Sequence, residues 1–204
     1  MLNAERRALP WVRVEKEYVF DTPAGRKTLP ELFGDCSQLI VQHFMFGPNW
    51  EDACKSCSFW ADNFNGIPIH LRHRDITLVA VSSAPLDRLE AFKRRMGWTF
   101  TWVSSDGNDF NHDYYVTFTQ DELAAGEITY NFAPRKTSMT ELPGISVFYR
   151  DPSGAVFHTY SCYARGLDMV NGAYHYIDLA PKGRNEGGLS YPMEWVRLHD
   201  RYED

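Results

Sequence analysis

The sequence predicts an α/β domain with three layers, α/β/α, around a mixed central sheet, and three observations carry that prediction. Gln38-Leu39-Ile40-Val41-Gln42-His43-Phe44-Met45-Phe46 and Ile76-Thr77-Leu78-Val79-Ala80-Val81 are largely apolar runs suited to strands buried on both faces. Between them, Cys57, Trp60, Ala61 and Phe64 fall at i, i+3, i+4 and i+7, the apolar stripe of a helix. Further on, Ile145–Tyr149 and Ala155–Tyr160 flank Asp151-Pro152-Ser153-Gly154, whose residue order suits a type I turn and so joins two strands as a hairpin. If the first two strands are parallel neighbours, the crossover between them is right-handed.

The remaining elements fit around this frame in chain order. Residues 1–35 form an N-terminal extension: an abbreviated helix, then Tyr18-Val19-Phe20 as a strand leading into the turn residues 21–25, then a short helical turn over Thr28–Phe33 stopped by Gly34. Gly47-Pro48-Asn49 breaks the first core strand. Gly66 and Pro68 interrupt the following helix, which kinks or restarts before Arg74. Pro85 suits the first turn of the next helix, Leu86, Leu89 and Phe92 give its inner face, and Gly97 fits its C′ position. Residues 98–140 are aromatic and polar with weak periodicity and are read as an insertion holding short strands. Its rings complete a satellite core in one reading and shape a substrate pocket in the other; the satellite core is preferred. A helix is expected from about Ala164, and a tail over 176–204 closes with a short helix containing Trp195, Val196 and Leu198. The whole, 1–204, is read as one domain.

Composition excludes several function classes. The net charge of −6 opposes nucleic acid as the main partner, because phosphate binding needs a basic surface. No apolar stretch approaches the length of a membrane span, so no membrane partner is expected. The first residues, MLNAERRALPW, lack the apolar core and cleavage site of a secretory signal, and a cytoplasmic location is expected. In that reducing compartment four cysteines do not read as a disulfide framework, and a close pair reads as catalytic or metal-binding. Cys36 and Cys162 stand alone and are expected to be buried thiols.

That close pair is Cys54-Lys55-Ser56-Cys57, between the first strand and its helix. A helix N-terminus offers unpaired N–H groups and a partial positive charge, which favour a thiolate over a thiol. Cys54 is therefore the expected nucleophile. Lys55 adds positive potential, while Glu51 and Asp52 act against it. Cys57, on the apolar stripe, is the expected resolving thiol, which attacks a mixed disulfide and releases the reduced substrate. The blander reading is two core cysteines whose spacing is accidental. A zinc reading also arises, because twelve residues separate Cys57 from the pair His70 and His73. The histidines lie two residues apart instead of three to five, so no metal site is assigned.

The order of elements resembles the thioredoxin fold, with an N-terminal extension and an insertion before the final hairpin. Leu142-Pro143-Gly144-Ile145-Ser146-Val147-Phe148 is similar to the run in which thioredoxins place a cis-proline before the hairpin. That resemblance implies that Pro143 faces Cys54 and that the Leu142 backbone pairs with an extended substrate; otherwise Pro143-Gly144 is a turn before a strand. Phe46-Gly47-Pro48-Asn49-Trp50, Cys54 through Asp62, Arg94-Arg95-Met96-Gly97-Trp98, Trp102-Val103-Ser104-Ser105, His158-Thr159-Tyr160 and Ala164-Arg165-Gly166 resemble a bacterial thioredoxin-like family catalogued as a domain of unknown function. Its members are labelled predicted dithiol–disulfide oxidoreductases. They carry a longer N-terminal helix, so the chain is expected to start late. The Trp-Cys-Gly-Pro-Cys of thioredoxin proper is absent; Ala53 precedes the first cysteine.

The function expected is a thiol–disulfide oxidoreductase with Cys54 and Cys57 catalytic and Pro143, Leu142, Trp50 and Lys55 on the substrate side. The pair itself cycles, so no bound cofactor is required, but an electron donor is needed beside the thiol or disulfide substrate. The alternatives are a peroxiredoxin-like thiol peroxidase, with a sulfenic acid on Cys54, and a non-enzymatic binding protein that keeps the fold.

Overall fold

A computed structural model of the chain describes residues 2–203; Met1 and Asp204, the outermost residues of the N-terminal extension and the C-terminal tail, lie outside the described residues. The described chain runs α1 (Leu2–Arg7), β1 (Val12–Arg13), β2 (Val19–Thr22), β3 (Gly25–Thr28), α2 (Leu29–Leu32), β4 (Gln38–His43), α3 (Lys55–Phe64), α4 (Pro68–Arg72), β5 (Ile76–Ser82) and α5 (Leu86–Arg95). It continues through β6 (Thr101–Ser104), α6 (Phe110–Asp113), α7 (Gln120–Ala124), β7 (Ile128–Tyr130), β8 (Ala133–Arg135), β9 (Gly144–Arg150), β10 (Val156–Tyr163), a 3₁₀ stretch over Ala164–Val170, α8 (Gly172–Leu179) and a last 3₁₀ turn at His199–Arg201.

Eight strands form one mixed sheet in the order β1-β10-β9-β4-β5-β6-β2-β3, and β7 pairs with β8 apart from it. β4, β5 and β6 are parallel, whereas β9 runs antiparallel to β4 and to β10. Alternation along the strands sorts the core into two faces. Phe44, Ala80, Trp102 and Ile145 pack with Cys57, Trp60 and Phe64 of α3 and Leu89 and Phe92 of α5. Leu39, Val41, Val79, Val81, Val103 and Phe148 pack on the opposite side with Leu29 and Leu32 of α2 and Phe110 of α6. The result is the three-layer arrangement that the patterning predicts.

Two local features hold the frame. Thr28 and Glu31 form a capping box at α2, satisfying donors that a four-residue helix would otherwise leave open. Asp151 accepts bonds from Ser153 and Ala155 N–H, which closes the β9–β10 turn.

The structure differs from the sequence reading in two segments. Residues 98–140 begin inside the main sheet: Trp98, Phe100 and Trp102 belong to the principal core and β6 is an internal strand. A satellite core exists, but it is built from Val116, Phe118, Ile128, Tyr130, Leu142 and Tyr163. At the C-terminus, Trp195, Val196 and Leu198 lie in turns and extended chain, and the 3₁₀ turn begins only at His199.

Candidate active site

The end of β4 and the start of α3 place the cysteines. Beyond His43 the chain stays beside β5 through bonds from Phe44 N–H to Val81 O and from Ala84 N–H to Phe46 O, then loops away over 47–53. Arg88 pins this loop by donating to the carbonyls of Pro48 (2.6 Å) and Trp50. Trp50 packs over Gly47, where a Cβ would lie 2.8 Å from its Nε1, so only glycine admits the ring there. The loop returns when Cys54 N–H donates to Met45 O at 3.0 Å. Cys54 is the N-cap of α3 and is half-buried, whereas Cys57, one turn in, is buried.

Both thiols are free and lie within hydrogen-bond reach of each other. The Cys57 S–H donates to Cys54 and, against the opposing effect of burial, lowers the Cys54 pKa to about 7; the N–H groups of Cys57 and Ser56 add to the shift. Cys57 moves the other way, pushed well above the usual thiol value by its bond to Cys54, by burial and by the charge on Cys54. The two sulfurs therefore titrate as a pair, with the less buried one, Cys54, ionising first.

One further group belongs to this pair. Glu141 is buried, and burial raises its pKa to about 7, against bonds from Ser83 Oγ–H and Phe46 N–H, with the Cys54 charge raising it further. Successive amides at the end of β4 divide between the partners: Met45 N–H is directed at Cys57 and Phe46 N–H at Glu141. The sequence reading stopped one residue short of it, at Leu142-Pro143. An acid between a polar loop and an apolar strand carries no mark of burial in sequence.

A cavity of about 480 Å³ opens over the thiols. Met45, Trp60, Leu142, Leu167 and Met193 give it apolar walls, with Tyr130, Arg135 and Met139 from the 98–140 segment and Arg165 and Asp168 from the 3₁₀ stretch beside them. Trp60 is fixed by its Nε1–H bond to Leu167 O at 2.9 Å. Leu142 and Pro143 thus lie with Cys54 and Cys57. Trp50 does not; it lines a separate hollow with Ser83, Thr117 and Glu141. Lys55 is turned to the C-terminal tail, donating to Glu194 O at 2.9 Å. The Leu142–Pro143 peptide bond is trans, as are all others among the described residues. Leu142 N–H donates to Val116 O and Phe118 N–H to Thr140 O, so the chain's own 116–118 segment is paired along this edge. His70 and His73 are exposed at α4, and the described residues contain no cluster of three or more His, Cys, Asp or Glu suited to a metal.

Solved structures of similar shape share little sequence with this chain. Peroxiredoxin Q of Xanthomonas campestris is 15% identical, covering 82% of this chain and 96% of that chain with a TM-score of 0.50. Peroxidoxin BcpB from Mycobacterium tuberculosis is 11% identical over 83% and 97%, at 0.49. A putative thiol:disulfide interchange protein DsbE from Chlorobium tepidum is 13% identical over 80% and 96%, at 0.45. At such identities the likeness speaks for the fold alone, which is thioredoxin-like. No curated protein matches the chain. A family profile described as "Bacterial protein of unknown function (DUF899)" matches residues 1–202, nearly the full length, and the chain therefore belongs to the DUF899 family.

Proposed function

We propose that this protein is a thiol–disulfide oxidoreductase in which Cys54 attacks and Cys57 resolves. The observation that carries the proposal is the placement of two free thiols within reach of each other at one helix N-terminus, the half-buried Cys54 lowered to about 7 and the buried Cys57 raised. The Cys54 thiolate attacks one sulfur of a substrate R–S–S–R′, the S–S bond breaks, and R′–S⁻ leaves and takes up a proton. Two of the causes that hold Cys57 protonated, its bond to the Cys54 thiolate and the charge there, vanish once Cys54 is in the mixed disulfide. Cys57 then loses its proton and attacks Cys54, releasing R–S⁻. The substrate gains two electrons and the pair loses two, which an external dithiol donor returns. A reducing cytoplasm is the compartment in which this dithiol and the free Cys36 and Cys162 persist.

The test is the pH dependence of alkylation by iodoacetamide, with the modified residue identified by mass spectrometry, together with equilibration of the pair in glutathione redox buffers. The expected result is a Cys54 midpoint near 7 and a reversible Cys54–Cys57 disulfide that Cys54→Ser abolishes. A protein that forms no reversible disulfide at any buffer ratio overturns the proposal.

A thiol peroxidase is the second reading, favoured by a cavity of small-molecule size over the same thiolate. Here Cys54 attacks the O–O bond of ROOH, ROH leaves, and the resulting sulfenic acid condenses with Cys57 to a disulfide and water. Loss of the Cys54 thiol to hydrogen peroxide much faster than to a small disulfide would select this reading.

A further inference from the structure

The cavity over Cys54 has a chemistry of its own beyond that of the thiols. Its volume, about 480 Å³, falls within the range of small-ligand sites, roughly 300–1,000 Å³. An extended polypeptide does not suit it. The edge at Thr140–Leu142, where a substrate strand would add, is paired with the chain's own Val116–Phe118, and the Leu142 N–H is committed there at 2.8 Å. What remains is an apolar chamber with polar groups at a few points.

Those points are unevenly charged. Arg135 is exposed, stacks on the Tyr130 ring at 5.4 Å and has no carboxylate partner among the described residues. Arg165 pairs with Asp168 Oδ2 at 2.7 Å, and Arg184, behind it, shares that oxygen at 2.8 Å. The one acid lining the cavity thus pairs with two guanidinium groups through a single oxygen; among the described residues its Oδ1 is buried without a partner, and Arg135 remains the lining cation with no carboxylate of its own. Inside, Gln42 is 3% exposed, lines the cavity and has no side-chain hydrogen-bond partner among the described residues. Its amide is open to the cavity, so a bound group can take up its hydrogen bonds.

We propose that this cavity binds a small amphiphile, an apolar chain or ring with an anionic end, whose apolar part lies among Met45, Trp60, Leu142, Leu167 and Met193 and whose anion meets Arg135. Gln42 supplies a hydrogen bond to a polar atom near the thiols. Under the thiol–disulfide reading on which this rests for its chemistry, the reacting bond of the substrate sits at the Cys54 end and the anion at the mouth. The inserted segment is then a substrate-selecting wall that excludes protein disulfides in favour of small ones.

The test uses the full chain carrying Cys54→Ser, so that binding is read without thiol chemistry. Decanoate, decanol and decylamine are titrated by calorimetry. Decanoate is expected to bind, decylamine not to bind, and Arg135→Gln to weaken decanoate about tenfold, as the loss of one charge-assisted contact implies. Arg135 is exposed, so an unchanged thermal melt confirms that the variant is folded. Decanoate should also slow iodoacetamide at Cys54 in the unsubstituted protein, and Arg135→Gln should remove that protection. No binding of decanoate, equal binding of decylamine, or an unchanged affinity in Arg135→Gln each overturns the proposal. A protein that binds decanoate as expected but forms no reversible disulfide retains this site while losing the oxidoreductase reading.

Discussion

At the scale of single residues, the site rests on a buried acid and two thiols whose charges oppose one another. The Cys54 charge raises Glu141, and the Glu141 charge in turn raises Cys57. Glu141→Gln in a Cys54→Ser background is therefore expected to lower the pH at which Cys57 is alkylated; an unchanged profile would show that the two do not interact. Stability carries a second signature. The folded pKa of Glu141 is raised from 4.5 to about 7, so its contribution is fully present below 4.5 and is lost as pH rises towards 7. Relative to the unsubstituted protein, Glu141→Gln should gain stability across that window, by about 3 kcal/mol at most. Urea denaturation of the reduced proteins measures the difference. The comparison must be made between variants, because burial of His43 lowers its pKa to about 4 and makes stability fall as pH drops from 6.5, in part of the same window. The cysteine pair is legible in the sequence because its spacing and its place between strand and helix are local. Glu141 is not, because its burial depends on Ser83, Phe46 and the 116–118 segment, all distant along the chain.

Elements were legible where their pattern was long and unmixed. The buried runs of β4, β5, β9 and β10 and the apolar stripes of α3 and α5 announce themselves. β6 does not, because four residues, Thr101-Trp102-Val103-Ser104, are too few to establish alternation within an aromatic and polar stretch. Nor does the pairing of Val116–Phe118 with Thr140–Leu142, which is contributed by isolated bridging and not by a strand run. The start of β9 shows how tightly these pieces meet. Gly144 is its first residue, and a Cβ there would lie 2.9 Å from the Tyr163 ring and 3.0 Å from Val116 Cγ1. Gly144→Ala must push apart β10 and the Val116–Phe118 segment, with an expected loss of about 1–3 kcal/mol by chemical denaturation. Gly187→Ala, with no atom within 4 Å of the added carbon, is the control and should change little. A Gly144→Ala protein as stable as the control would mean that the 116–118 segment yields freely, contrary to the tight packing described.

Over the whole molecule, the tail closes the face that carries the cysteines from a distance that no local pattern spans. Met193, Val196 and Leu198 are buried in the same core as α3 and α5, although they lie in irregular chain. Arg95 holds the end of the tail through a two-nitrogen contact with Asp200 (2.7 and 3.0 Å) and also reaches Asp52, just ahead of the cysteines, at 2.7 Å. Within the tail, Glu186 gathers three donors at one oxygen. Its Oε1 accepts from Tyr174 Oη–H (2.8 Å), Trp195 Nε1–H (2.8 Å) and Met193 N–H (3.0 Å). Burial raises the pKa of this carboxyl, but those three donors outweigh it and hold the group below the usual range. Its stabilisation is therefore present above the unfolded value of 4.5 and is lost as pH falls below it. Glu186→Ala leaves an indole N–H and an amide N–H without their acceptor and should cost about 2–4 kcal/mol, with Trp195 fluorescence shifting as the ring gains solvent. Glu186→Gln, which keeps an acceptor oxygen, should cost less, and Leu179→Ala, on an exposed side chain of α8, should cost almost nothing. Because Met193 lines the cavity, Glu186→Ala should also weaken any ligand held over Cys54. A melt unchanged from Leu179→Ala would show that the tail is held by its apolar contacts alone, with Glu186 contributing nothing.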